Sequence, residues 1–182
     1  LDAAENKLFQ INEENLKRKG GSISYILNEV KDNILKAAQS QKSVTGIPSG
    51  FKSLDKITAG WQPSDFIIIA ARPSMGKTAF VLNMARKMAV EHNIPIAIFS
   101  LEMSSQQLVM RILSSETRIP SDILRRGQLS KTQWKILENS IENLSRAPLF
   151  IDDTPSLSVF ELRAKARRLK QQHNIQCIMV DY

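Results

Sequence analysis

The fold of this chain is decided by Phe66-Ile67-Ile68-Ile69-Ala70 and the loop that follows it, Ala71-Arg72-Pro73-Ser74-Met75-Gly76-Lys77-Thr78. The apolar run predicts a buried strand, since consecutive apolar residues suit the interior of a parallel sheet. Residues 79–89 predict a helix. A strand, a loop ending in Gly-Lys-Thr and a helix form the setting that a phosphate-binding loop requires.

Each part of this loop suits contact with phosphate. Successive backbone N–H groups curl around the phosphate oxygens, and the N-terminus of the helix adds its positive dipole end. Gly76 lets the backbone approach without a Cβ, Lys77 brings a positive charge to the β- and γ-phosphates, and the Thr78 hydroxyl can bind Mg²⁺. The general pattern begins with Gly where this chain has Ala71, and an ordinary strand-to-helix turn is the alternative interpretation. The predicted nucleotide-binding residues are Ala71, Arg72, Pro73, Ser74, Met75, Gly76, Lys77 and Thr78.

The composition is typical of a soluble globular protein. Hydrophobic residues make up 42% of the chain and charged residues 24%, and no apolar run approaches the roughly 20 residues that cross a bilayer. The beginning of the sequence, Leu1-Asp2-Ala3-Ala4-Glu5, lacks the basic end and the apolar core of a signal peptide. One cysteine, Cys177, rules out an internal disulfide and suits a reducing compartment. We therefore expect a cytoplasmic protein with no membrane partner.

The charge of the chain favours an anionic partner. The net charge is +7 and the sequence pI is about 9.7, as expected for a protein that binds nucleic acid. The same excess of positive charge could also serve a bound nucleotide.

The sequence predicts three segments. Residues 1–20 contain the end of a helix that Gly20-Gly21 interrupts. Residues 21–44 contain a helix over Ile23–Ala38 and a polar tether, and residues 45–182 form the main domain. One apolar stripe marks the helix, because its apolar residues recur at helical spacing: Ile23, Ile26, Leu27, Val30 and Ile34. This stripe packs either on its own domain or on a neighbouring copy of the chain.

The main domain alternates strands and helices, which predicts an α/β fold with a parallel sheet and right-handed crossovers. The predicted strands are Phe66–Ala70, Pro95–Leu101, Pro148–Ile151 and Ile175–Val180. Capping boxes mark three helix starts, at Ser104, Ser130 and Ser158. Two sets of helical residues are expected to face inward: Trp134, Leu137, Ile141 and Leu144, and Val159, Leu162, Ala166 and Leu169.

Two acidic residues follow predicted strands, at the sheet edge where ligands of parallel sheets bind. Asp181 follows Ile178-Met179-Val180, and such an Asp is expected to hold Mg²⁺ beside a phosphate-binding loop. Glu102 follows the strand ending at Leu101. It could orient or deprotonate the water that attacks the γ-phosphate, or it could be an acid favoured by the dipole of the next helix. The residues alone do not choose between these two interpretations.

Several segments together resemble the replicative DNA helicases of the bacterial DnaB family. They are Thr45-Gly46-Ile47-Pro48-Ser49-Gly50-Phe51 with Leu54-Asp55, Thr58-Ala59-Gly60-Trp61, Ala70-Ala71-Arg72-Pro73-Ser74-Met75-Gly76-Lys77-Thr78, Phe99-Ser100-Leu101-Glu102-Met103-Ser104, Leu162-Arg163-Ala164-Lys165-Ala166-Arg167-Arg168-Leu169 and Ile178-Met179-Val180-Asp181-Tyr182. The loop with Ala at its first position is a hallmark of this family, so Ala71 fits the resemblance.

The resemblance implies a RecA-like P-loop ATPase domain that acts in a ring of six on single-stranded and forked DNA, with ATP and Mg²⁺ as cofactors. It implies that Gly76 and Lys77 hold phosphate, that Thr78 and Asp181 hold Mg²⁺, and that Glu102 activates water. The helix over 23–38 would be the family's linker helix, which docks on the adjacent subunit, and residues 1–20 would end the N-terminal domain. Primase and a helicase loader are the further partners that the resemblance implies.

The resemblance also implies that the DNA-binding loops, a glutamine sensor and an arginine finger follow Tyr182. A strand that separates the Mg²⁺-binding strand from the phosphate-loop strand would follow there too. We therefore expect residues 1–182 alone to expose the apolar edges of Phe66–Ala70 and Ile175–Val180, and to be essentially inactive. The alternative functions are a recombinase of RecA or RadA type, which usually begins its loop with Gly and lacks the stripe, and a non-catalytic assembly module.

Overall fold

The computed structural model describes residues 23–39 and 44–182. They belong to two units, divided between Lys42 and Ser43, and the described part of the first unit is one helix. This helix, α1, spans Ile23–Gln39, so the prediction of a helix here is confirmed to within one residue. Its five stripe side chains are between 46% and 75% exposed. The predicted helix within residues 1–20 and most of the tether lie outside the described residues, and no helix of the described part is long and apolar enough to span a membrane.

The second unit alternates helices and strands, as predicted. In chain order its elements are α2 (Lys52–Thr58), α3 (Lys77–Arg86), a π-helical turn (Lys87–Glu91), β1 (Ile96–Ser100), α4 (Ser105–Thr117), α5 (Ser121–Arg126), α6 (Lys131–Arg146), β2 (Leu149–Asp152), α7 (Val159–His173) and β3 (Cys177–Asp181). The short helix α2 was not expected from the sequence.

The three strands form a parallel sheet in the order β2-β1-β3. Strand β1 lies in the middle and is buried along its whole length. Its last residue, Ser100, pairs with Asp181 at the end of β3. The carboxyl ends of these two strands therefore lie side by side, which is the edge at which the sequence predicts the site.

The side chains of β1 alternate between the two faces of the sheet. Helices cover both faces. On one face Ile96 and Ile98 pack with residues of α3, the π-helical turn and α4, including Leu82 and Leu108. On the other face Phe99 packs with Ala97 and Ile175, and α7 covers them with Leu162 and Leu169. This arrangement confirms the predicted α/β fold.

The three predicted capping boxes are all present. Ser104, Ser130 and Ser158 each accept the backbone N–H of the third helical residue, whose own side chain accepts the N–H of the serine. Two hydrogen bonds thus fix each helix start.

The prediction of inward-facing residues on α6 and α7 is wrong in part. Trp134 and Ile141 are about half exposed, and Leu137 is the one buried residue of the predicted stripe on α6. The reason is that α6 packs chiefly against the single helix α4, which covers a narrow strip of its surface. Val159, the first residue of α7, is 77% exposed because no element covers that end of the helix among the described residues.

The predicted strand Phe66–Ala70 does not pair with the described sheet, and residues 65–72 form neither helix nor strand. Phe66 is 90% exposed and Ile68 is 75% exposed, so the segment is not a buried strand, whereas its exposure agrees with the apolar edge expected for residues 1–182 alone. A β-strand is held by hydrogen bonds to a neighbouring strand. Within residues 44–182 no strand pairs with this segment. Ile178 and Val180 of the edge strand β3 are exposed as well, which agrees with the expected exposed apolar edges.

Candidate functional site: the Gly-Lys-Thr loop and the strand ends beside it

The loop before α3 has the backbone form of an anion-binding turn. Residues 71–76 are exposed, and Gly76 adopts a left-handed conformation with φ of 89°. A Cβ on Gly76 would meet no atom within 4 Å, so the backbone angle is what calls for glycine here. No side chain caps α3, and its first internal hydrogen bond runs from the N–H of Phe80 to Gly76. The preceding N–H groups of the helix can therefore serve a ligand.

Lys77, Thr78 and Asp181 meet at the carboxyl edge of the sheet. The Thr78 hydroxyl donates a hydrogen bond of 2.8 Å to Oδ2 of Asp181, from which it is 103 residues distant in sequence. The Nζ of Lys77 lies 3.1 Å from Oδ1 of the same carboxylate. Asp181 is buried, with 4% of its side chain exposed, whereas 29% of the Lys77 side chain is exposed. The buried acid is thus held by two polar groups that also border the open loop.

The charges of this site act on Lys77. The hydrogen bond with Asp181 raises the pKa of Lys77 above its ordinary value, and the nearby charges of Asp181 and Glu102 act in the same direction. Lys77 therefore carries a full positive charge at neutral pH. Its Nζ also donates a 2.6 Å hydrogen bond to the carbonyl oxygen of Tyr182 and lies 5.6 Å from the centre of that ring.

Glu102 lies in the bend between β1 and α4, and its side chain is exposed. The N–H of Leu101 donates to the carbonyl oxygen of Asp181 at 2.9 Å, which ties the start of this bend to the end of β3. The bend that carries Glu102 therefore begins at the strand ends where Lys77 and Asp181 meet.

The side chains present suit Mg²⁺. Mg²⁺ prefers oxygen ligands and is held in phosphate-transfer sites by one or two protein oxygens together with phosphate oxygens and water. The Thr78 hydroxyl and the Asp181 carboxylate supply such oxygens within hydrogen-bonding distance of each other. Within residues 23–39 and 44–182, no cluster of three or more His, Cys, Asp or Glu side chains could bind a metal ion. Phosphate oxygens and water would therefore supply the remaining ligands.

A separate cavity of about 580 Å³ opens between α3, α4 and α5. Its lining includes Leu82, Arg86, Met103 and Arg111, but none of the predicted nucleotide-binding or metal-binding residues. Cys177 lies elsewhere, and burial raises the pKa of its thiol to about 11. It therefore stays a neutral thiol.

Sequence analysis missed three residues of this region. Ser100, Asp153 and Tyr182 contact the site residues or the bend that carries Glu102. Their signals in the sequence are weak, since a serine or aspartate at a strand end is common. Only their position after apolar runs, at the edge where ligands bind, points to them.

The chain is similar over its whole length to known replicative DNA helicases. Replicative DNA helicase DnaB of Geobacillus stearothermophilus is 46% identical over 182 residues, which is the whole chain and 40% of that protein. Replicative DNA helicase DnaB of Nostoc sp. is 45% identical over 186 aligned residues, covering the whole chain and 21% of that protein. Replicative DNA helicase DnaC of Bacillus subtilis is 43% identical and is covered to 40%. The chain thus spans less than half the length of these relatives.

Solved structures show the same likeness. One of them, the ATPase domain of another protein, superimposes with a TM-score of 0.79 at 32% identity, over 89% of this chain and 57% of that one. A DnaB-like replicative helicase, solved to show its interactions with primase, superimposes with a TM-score of 0.78 at 31% identity, over 100% of this chain and 43% of that one. The profile of the DnaB-like helicase C terminal domain matches residues 46–182. Since that match covers well over half of the sequence, the chain belongs to the DnaB-like helicase C-terminal domain family.

Proposed function

We propose that this chain is the ATPase part of a replicative DNA helicase, a hexameric ring that moves 5′–3′ on single-stranded DNA and unwinds the duplex at a fork. The observation that carries the proposal is the meeting of Lys77, Thr78 and Asp181 at the carboxyl edge of the sheet. That meeting occurs beside an open turn before α3, in a chain of the DnaB-like family. A cation, a hydroxyl and a buried carboxylate together suit the phosphates of ATP and their Mg²⁺.

Residues 71–78 would hold the phosphates. The N–H groups of the turn and of the first residues of α3 donate to phosphate oxygens, and Lys77 places its charge against the β- and γ-phosphates. Thr78 and Asp181 would hold Mg²⁺, which when bound draws negative charge away from those phosphates. Lys77 would then exchange its contact with Asp181 for one with phosphate, because the Nζ that now lies beside the carboxylate is the same group that would face the phosphate.

Glu102 would prepare the attacking water. The bend that carries it begins where the N–H of Leu101 donates to the carbonyl oxygen of Asp181, and a carboxylate near this edge could accept a proton or a hydrogen bond from water as it approaches the γ-phosphate. The other interpretation, an acid favoured by the dipole of the next helix, predicts normal hydrolysis when Glu102 is replaced with Gln.

Strand displacement tests the helicase function. We expect the full-length protein to displace a labelled strand from a fork with a 5′ single-stranded tail, and to do so only with hydrolysable ATP. A fork carrying only a 3′ tail is the control for direction. The RecA-type alternative instead predicts exchange between homologous strands without displacement at a fork, and an assembly module predicts neither activity.

Helix α1 would join neighbouring subunits of the ring. The apolar stripe of α1 is about half exposed or more, and exposed apolar faces of this kind mark protein contacts. A neighbouring copy of the chain is the proposed occupant because the family acts as an oligomer. Primase and a helicase loader would be further partners, and the relative solved to show its interactions with primase supports the first of them.

Two charges in this stripe should dissociate the ring. In the full-length protein, Ile26→Asp with Val30→Asp places carboxylates one turn apart on the apolar face, where docking would bury them at a cost of several kcal/mol. We expect monomers or small oligomers by light scattering, with an unchanged melting temperature for the ATPase domain. The control is Asn28→Asp with Lys31→Asp, on polar positions of the same helix. A double stripe variant that remains hexameric would show that the stripe packs within its own subunit.

A further inference from the structure

The bend that carries Glu102 is fixed by two side chains that the proposed mechanism does not use. Ser100, the last residue of β1, has only 2% of its surface exposed. Its hydroxyl donates to the carbonyl oxygen of Met103 at 2.8 Å and accepts the N–H of Met103 at 3.1 Å. Both polar backbone groups of the residue after Glu102 are thus bound to one buried oxygen.

Asp153 fixes the other end of the bend. Its Oδ2 accepts the backbone N–H of Ser105, the first residue of α4, at 2.6 Å. Asp153 directly follows β2. The last residue of that strand, Asp152, accepts hydrogen bonds of 2.7 and 2.9 Å from Lys165 of α7. The start of α4 is therefore linked to a second strand of the sheet, and that link holds the carboxylate charged, since the same N–H lowers the pKa of Asp153.

Glu102 itself is exposed, so its own contacts do not determine where it lies. Its backbone does, because the residues on either side are bound to the sheet: Leu101 to Asp181, Met103 to Ser100 and Ser105 to Asp153. A base must lie within hydrogen-bonding reach of the water from which it takes a proton, and a shift of about 1 Å can cost a hundredfold in rate.

We propose that Ser100 and Asp153 are positioning residues that hold Glu102 over the nucleotide site. This inference rests on the proposed role of Glu102. Among the described residues, the hydrogen bonds of the two side chains run to Met103 and Ser105 and not to residues 71–78, and neither side chain is assigned a part in proton transfer. Each acts through the backbone of the bend, Ser100 at its first turn and Asp153 at the start of α4.

Removal of the Ser100 hydroxyl is the first test. In the full-length protein we expect Ser100→Ala to lower kcat for ATP about tenfold, a fraction of the loss expected for removing a general base. The affinity for a fluorescent ATP analogue, measured by titration, should stay unchanged because the loop and Lys77 are intact. The matched control is Thr117→Val. Thr117 is also buried, and its hydroxyl also donates to one backbone carbonyl and accepts one backbone N–H, at the far end of α4. It should lower the melting temperature without changing kcat.

A double variant separates positioning from general stability. If Ser100 acts through Glu102, Ser100→Ala should lower the rate no further in a Glu102→Gln background. The inference fails if Ser100→Ala keeps the normal kcat, if it lowers the rate of the Glu102→Gln enzyme by the same factor, or if nucleotide affinity falls with kcat. A normal rate for Glu102→Gln alone would instead overturn the proposed role of Glu102.

If Ser100→Ala does not fold, substitutions of Asp153 still test the proposed positioning of Glu102. Asp153→Ala removes the acceptor for the N–H of Ser105, whereas Asp153→Asn keeps an oxygen at that place. We expect a loss of kcat for the alanine variant and near-normal kcat for the asparagine variant, with unchanged nucleotide affinity in both. Equal rates for the alanine variant and the unaltered enzyme would overturn the role of Asp153 in positioning.

Discussion

Replacing Lys77 with Ala is expected to abolish ATP turnover by the full-length protein. The substitution removes the cation that would face the β- and γ-phosphates, and it leaves the buried carboxylate of Asp181 with one of its two contacts, the Thr78 hydroxyl. Both effects weaken the site for a transferring phosphoryl group. Phosphate release at saturating ATP measures the loss, and circular dichroism shows whether the fold is kept.

The matched control is Lys87→Ala. Lys87 follows α3 directly, its side chain is 29% exposed like that of Lys77, and its Nζ lies 3.9 Å from a carboxylate oxygen of Glu91. It also lies over an aromatic ring, 5.3 Å from the centre of Phe51. We expect normal turnover from this variant. Comparable losses from both lysine variants would mean that Lys77 acts through stability or general charge and not through phosphate.

The features that could be predicted from the sequence depend on local patterns. The three capping boxes follow from a serine with Gln or Glu three residues later, and both partners lie within one helical turn. The parallel sheet follows from apolar runs that alternate with helical periods. The meeting of Thr78 with Asp181 was also expected, although 103 residues separate them, because the hydroxyl of a Gly-Lys-Thr loop and an Asp after an apolar strand are expected to share one Mg²⁺ site.

The failures concern features that depend on neighbours. Phe66–Ala70 has the composition of a buried strand, but burial needs a hydrogen-bonded partner that the described sheet does not supply. Trp134 and Ile141 have helical spacing, but the width of a buried stripe depends on how many elements cover the helix. Periodicity shows which residues share a face and not how much of that face is covered.

The supporting residues of the site were missed for a related reason. Ser100 and Asp153 act by binding backbone N–H and carbonyl groups. Every residue except proline has both groups, so such contacts leave no pattern of residue types in the sequence. Glu102 could be proposed from its place after an apolar strand, whereas the side chains that fix its bend needed the three-dimensional structure.

Replacing Glu102 with Gln is expected to leave nucleotide binding intact and to slow hydrolysis by about 10²- to 10⁴-fold, the range typical for loss of a general base. Glutamine keeps the size and the polar end of the side chain but cannot take the proton of the attacking water. The full-length variant should bind a fluorescent ATP analogue as tightly as the unaltered protein, and a single-turnover experiment should show the slow step to be phosphate cleavage.

Glu161→Gln is the control that separates the two interpretations of Glu102. Glu161 also lies at a helix start, where it accepts the N–H of Ser158 at 3.0 Å, and its helix end favours an acid in the same way. If Glu102 were only such an acid, the two variants would behave alike, with small changes in melting temperature and normal hydrolysis. A large loss of rate for Glu102→Gln beside a normal rate for Glu161→Gln would assign the loss to water activation, because both substitutions remove the same charge from the start of a helix.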